Sequence, residues 1–164
     1  MGLSFRGEFS QKVDSKGRMS IPAAFRRVLE SGDPDFPQSA NPKLVILYGA
    51  HLEGCLHAYT IEAMAEIEAG IMALKRGSRE RQMASRMILG KSAELEVDRD
   101  GRIVLPKERR AQIGLEGEAT MVAMGDYFEI WNADKFAAQE AAEIEDFLED
   151  QEDGFDPLSL LDGA

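Results

Sequence analysis

The ten residues VDSKGRMSIP, from Val13 to Pro22, return 84 residues later as VDRDGRIVLP, from Val97 to Pro106. Asp14 matches Asp98, Gly17 matches Gly101, Arg18 matches Arg102, and Ile21 matches Leu105. Arg26 and Arg110 also correspond, four residues past each proline. Repetition constrains a fold more than composition does. Two copies half a chain apart are too few for a solenoid. They predict two halves related by a pseudo-twofold.

Within each copy, Asp followed three residues later by Gly marks a type I turn. The Asp carboxylate can accept backbone N–H groups there, and Gly supplies the positive φ of a three-residue hairpin loop. Apolar residues alternate or run on either side, in GEFSQKV and RMSI, then in AELEV and RIVL. The pattern predicts a β-hairpin in each copy. Pro22 and Pro106 then open short helices, where proline's missing N–H has no intrahelical partner to lose. Gly114 stops the second helix.

Each turn tip carries cations: Lys16 and Arg18 in the first copy, Arg99 and Arg102 in the second. A solvated arginine bracing its loop against Asp14 or Asp98 is one reading. Recurrence in register favours the other, phosphate binding by guanidinium and ammonium groups on a rigid element. The intervening positions differ, because Asp100 stands where the first copy has Lys16. The two tips are therefore expected to bind unequally.

A net charge of −11 argues against a polyanion partner until its distribution is read. Residues 1–31 carry six basic and three acidic side chains, and residues 75–110 carry eleven and six. Residues 116–164 hold fifteen acids against Lys135 alone. Both repeats thus lie in net-basic territory, and a local patch matters more than the total. No apolar run approaches the ~20 residues that span a bilayer, and MGLSFRGEF lacks a signal-peptide core. A single cysteine, Cys55, excludes an internal disulfide and fits a reducing compartment.

Between the repeats, KLVILYG and CLHAYT read as strands. A helix capped by Thr60 runs to about Lys75, with Ile61, Met64, Ile67, Ile71 and Leu74 on one face. Another, from Ser78 to about Leu89, places Arg79, Arg81 and Arg86 outward and Met83, Met87 and Ile88 inward. EATMVAMG and YFEIWN read as paired strands. A last helix from about Asp134 has Phe136, Ile144, Phe147 and Leu148 as its apolar stripe, and the acidic tail from Glu149 is expected to fray. Cys55, His51 and His57 are too few to predict a metal site. DRDG lacks the remaining ligands of a calcium loop, and no catalytic signature is present. No metal, cofactor or small-molecule substrate is expected.

The two copies of D-x-x-G-R-φ-x-φ-P, with φ apolar, resemble the SpoVT–AbrB-type DNA-binding element. The tandem arrangement, with ASRMILGKSAELEVDRDGRIVLP leading into FEIW, resembles the MraZ family of bacterial transcriptional regulators over about residues 5–135. That resemblance implies an α+β fold, a double-split (swapped-hairpin) β-barrel with peripheral helices. Its parts would be a first repeat over 5–59, linking helices over 60–91, a second repeat over 92–133, and an acidic helix and tail over 134–164. It implies a non-enzymatic, sequence-specific regulator of the division and cell-wall gene cluster, acting as a repressor in the cytoplasm at the nucleoid. The protein would bind short direct repeats in double-stranded DNA upstream of its own gene, as a ring-shaped homo-oligomer. Lys16, Arg18, Arg99 and Arg102 would meet the DNA, with Asp14, Gly17, Asp98 and Gly101 forming the turns. The rival readings are a toxin-capping antitoxin module, a small-molecule enzyme on a barrel and a purely structural ring. The long inter-repeat helices and the duplicated barrel weigh against the first, and the absence of catalytic motifs against the second. Loss of salt-sensitive DNA binding on changing the tip arginines separates the regulator from the third.

Overall fold

The computed structural model describes residues 3–163. It is a mixed α+β chain. The first copy comprises β1 (Glu8–Lys12), β2 (Arg18–Ser20), α1 (Ala23–Ser31), β3 (Lys43–Leu47) and β4 (Cys55–Thr60). Helices α2 (Ile61–Met72) and α3 (Arg79–Met87) link it to the second copy. That copy is β5 (Ser92–Glu96), β6 (Arg102–Val104), α4 (Lys107–Gln112), β7 (Glu118–Ala123) and β8 (Tyr127–Asn132), and α5 (Ala133–Glu149) follows.

The turns close as the local sequence demands, but their arms do not continue as hairpins. β1 leaves its own copy and pairs with β7, while β5 pairs with β3. β2 pairs with β6 in a separate ribbon. Every pairing is antiparallel, and the large sheet runs β1-β7-β8-β4-β3-β5. Exchanging the copies maps this order onto itself reversed. Phe9 of β1 and Met19 of β2 thereby meet one core from two different sheets. Among the described residues the six-stranded sheet and the ribbon do not hydrogen-bond into one closed barrel.

Register locates the pseudo-twofold. Met19 faces Ile103 at the centre of the ribbon, and His57 faces Glu129 within the β4–β8 pair. One core serves both copies. Ile21, Phe25, Leu44, Ile46 and Leu56 from the first pack with Ile103, Leu105, Met121, Phe128 and Ile130 from the second. Phe5, Phe25 and Phe128 form a ring triangle with centroids 4.8–5.2 Å apart.

Thr60 Oγ1 accepts from Ala63 N at 3.0 Å and starts α2, while Ser78 Oγ accepts from Arg81 N and starts α3. Met64 packs with Val45 and Leu47 in a smaller cluster joined by Ile61, Ile67 and Ile88. Three expectations for these helices are corrected. Leu74 lies beyond α2 and is exposed, Met87 is exposed, and Arg81 is half-buried because it turns back toward Leu74 O and Met72 Sδ. A two-turn helix cannot bury every apolar side chain on a face that is only partly covered.

The chain divides after Ala133 into two compact units. In the second, Phe136 at the head of the apolar stripe of α5 is buried, while Ile144, Phe147 and Leu148 are exposed. Its tail is not frayed throughout. A 3₁₀ segment spans Pro157–Gly163, and Phe155 meets Phe147 edge-on at 5.8 Å. Among the described residues, no helix is long and apolar enough to cross a membrane.

Candidate nucleic-acid interface

The two turns are built by the same bonds. Gly17 N donates to Asp14 O at 3.0 Å, and Gly101 N donates to Asp98 O at 2.9 Å. Asp14 Oδ1 accepts the backbone N–H groups of Lys16 and Arg18, and Asp98 Oδ1 accepts those of Asp100 and Arg102. Gly17 has φ +85° and Gly101 has φ +78°. The bonds within each loop require that left-handed conformation, which side chains resist.

These bonds hold Asp14 well below the ordinary carboxylate range, at about 2. The backbone N–H of Arg18 is the largest cause and its guanidinium the next. Asp98 is lowered too, first by the backbone N–H of Arg102. Both carboxylates are thus committed to their turns.

The arginine side chains are held differently. Arg18 Nε donates to Asp14 Oδ2 at 2.6 Å, and its terminal nitrogens make no hydrogen bond among the described residues. Arg102 lies between two acids, with Nη2 donating to Asp100 Oδ2 at 3.3 Å. Its Nε stays 3.7 Å from Asp98 Oδ2, beyond hydrogen-bonding distance, and is a buried donor without a partner. Asp100 draws the guanidinium away from the position its counterpart holds. Lys16 and Arg99 are exposed at the two tips.

The β2–β6 ribbon brings the two copies together. Met19 and Ile103 are buried, so Arg18, Ser20, Arg102 and Val104 occupy the opposite face by strand alternation. Arg18, Ser20 and Arg102 line one cleft with Lys12, Glu116 and Glu118. Val104 is 52% exposed, an apolar side chain on the same face as the two arginines.

Sequence matching paired Arg26 with Arg110 but gave them no task. Each spans the copies. Arg110 Nε donates to Leu105 O at 3.0 Å and packs over Gly17, while Arg26 Nη1 donates to Ile21 O at 2.7 Å and packs over Gly101. The backbone ties follow the same exchange, since Leu105 N donates to Gly17 O and Ile21 N to Gly101 O. Each turn is therefore fastened by the other copy. The matched spacing after each proline was the only signal of this role.

The MraZ family model, described as "MraZ protein, putative antitoxin-like", matches residues 88–157. The chain is 51% identical to the transcriptional regulator MraZ of Ruegeria pomeroyi, over all of this chain and 98% of that protein. It is 49% identical to the transcriptional regulator MraZ of Ruegeria sp. strain TM1040, over the same shares. Against the Cereibacter sphaeroides protein of that name (strain ATCC 17029) identity is 43%, over 99% and 98% of the two chains. The chain belongs to the MraZ family. Membership covers both turns, the ribbon between them and the acidic second unit, since the alignments run essentially end to end.

Proposed function

We propose that this MraZ-family chain is a sequence-specific DNA-binding transcriptional regulator, a repressor, that presents its β2–β6 ribbon and flanking turns to duplex DNA. The observation that carries the reading is the outward ribbon face. Arg18, Ser20, Arg102 and Val104 stand there on a short two-stranded element whose other face is anchored in the core. A two-stranded ribbon fits the major groove, where arginine can read guanine and an apolar side chain can meet a thymine methyl. Lys16 and Arg99 at the tips would take flanking phosphates. The relatives' shared name, transcriptional regulator, supports the same class. The protein is not an enzyme.

The finer reading follows the family resemblance. On it the chain is a double-split barrel, with repeats over 5–59 and 92–133 joined by residues 60–91 and followed by 134–164, and the exchange of β1 and β5 between the copies supports that reading. The operator would be short direct repeats upstream of the protein's own gene, in the division and cell-wall cluster, bound by a ring-shaped homo-oligomer in the cytoplasm at the nucleoid. A ring holding several ribbons at fixed spacing multiplies weak single-site binding through effective concentration.

The test is a binding titration on DNA from upstream of the gene, with scrambled competitor, at several salt concentrations. Arg18→Ala should weaken binding and reduce the log–log salt slope by about 0.9 for each phosphate no longer neutralised. In an oligomer that reduction recurs at every engaged subunit. A variant that assembles normally and keeps wild-type affinity and slope would refute the assignment.

A further inference from the structure

On the sheet face turned away from the shared core, β4 and β8 meet at the seam between the copies. Leu56, Ala58, Phe128 and Ile130 belong to the core, so alternation puts Cys55, His57, Glu129 and Trp131 on the other face. Register sets His57 opposite Glu129 and Cys55 opposite Trp131. The sulfur, imidazole and carboxylate donors of Cys55, His57 and Glu129 all lie within 4.8 Å of one another. Cys55 is buried, and the other two side chains are 16% and 17% exposed. We propose that Cys55, His57 and Glu129 form a binding site for a transition-metal dication of the zinc type, straddling the two copies.

The donor set suits that ion. Thiolate, imidazole and carboxylate are the usual zinc ligands, and a soft thiolate selects against magnesium and calcium. One thiolate and one carboxylate neutralise a dication, so the occupied site has no net charge. Metal–donor lengths of about 2.0–2.3 Å put tetrahedral donors about 3.3–3.7 Å apart. His57 Nε2 and Glu129 Oε2 already stand 3.4 Å apart, and side-chain rotation moving the sulfur by about 1 Å would complete the set. Cys55 Sγ now donates to Leu52 O at 3.3 Å. Binding would break that bond and release the thiol proton, and the fourth position would take water.

Neighbouring groups already orient the ligands. Trp131 Nε1 donates to Glu129 Oε1 at 3.0 Å, which leaves Oε2 to face His57. The Tyr127 ring stacks on His57 with centroids 4.5 Å apart and limits its rotation. Such outer partners commonly set ligand geometry at metal sites. Sequence reading grouped Cys55 and His57 with His51, but His51 lies outside this cluster and the third donor comes from the other copy. No local spacing could have supplied it.

The experiment uses untagged full-length protein, stripped with chelator and titrated with Co²⁺, then with Zn²⁺. A sulfur-to-cobalt charge-transfer band should appear, saturate at one ion per chain and vanish as Zn²⁺ displaces the cobalt. The chain has one cysteine and one tryptophan, so the band has a single possible source and Trp131 emission is a second reporter. Cys55→Ser should abolish the band. Glu129→Gln, which keeps an acceptor for Trp131, should retain the band but bind at least about tenfold more weakly. Absence of the band in wild-type protein, or a Glu129→Gln affinity equal to wild type, would overturn the proposal.

Discussion

Replacing Gly17, Gly101 and Gly77 by alanine, one at a time, separates backbone strain from the exchange between copies. All three have positive φ, +85°, +78° and +82°. Alanine in that region costs about 1–2 kcal/mol. At Gly77 nothing lies within 4 Å of the added methyl, so strain is the whole cost. At Gly17 the methyl would overlap Leu105 O and lie 2.7 Å from Arg110 Nε. Relief would have to break the Leu105 N–H bond to Gly17 O, or the Arg110 bond to Leu105 O. Each is worth about 1 kcal/mol net, more for the charged donor. Gly17→Ala is therefore expected to cost about 2–5 kcal/mol. At Gly101 the methyl meets the end of the Arg26 side chain, which can swing aside at the cost of its bond to Ile21 O. The expected cost there is about 2–4 kcal/mol. Urea unfolding at one fixed protein concentration measures all three, since assembly would shift the midpoint with concentration. Equal losses at Gly17 and Gly77 would refute the claim that each turn is clamped by the opposite copy.

Asp100→Asn should free Arg102 from one of its two acids and tighten DNA binding with a steeper salt dependence, which a salt-series titration would register. Arg102→Ala should lose less affinity than Arg18→Ala in the same assay, because Asp100 already weakens the second tip. Asp14 has its folded value lowered, so its contribution to the first turn is present above the ordinary value of 3.8 and is lost as pH falls toward about 2. Protection of the Lys16 and Arg18 amides, relative to their intrinsic exchange rates, should persist at pH 4 and fall only below it. Gly70 sits exposed in α2 with no atom within 4 Å of an added methyl, so Gly70→Ala should stabilise the protein by about 1 kcal/mol in the urea assay. Neutralising Glu149, Asp150 and Glu152 together should leave operator preference unchanged against scrambled competitor.

The sequence by itself determined the parts whose bonds close within a few residues. The Asp14 and Asp98 turns, the helix starts at Pro22, Pro106, Thr60 and Ser78, and the equivalence of the two copies all rest on patterns spanning about ten positions or fewer. The number and sign of the tip cations were legible for the same reason. Tertiary structure decided which strand each arm joins. A three-residue arm such as RMS satisfies an antiparallel partner from either copy, and in the folded chain the partner comes from the other copy. It also decided what the matched arginines do, since Arg110 reaches Gly17 across 93 positions of chain. The asymmetry of the tips was visible as Asp100 against Lys16. Its consequence, a guanidinium drawn from Asp98 until Nε is left without a partner, is a matter of ångströms that spacing does not encode. The meeting of Cys55 and His57 with Glu129 belongs to the same class, because strand register brings together side chains that are far apart along the chain.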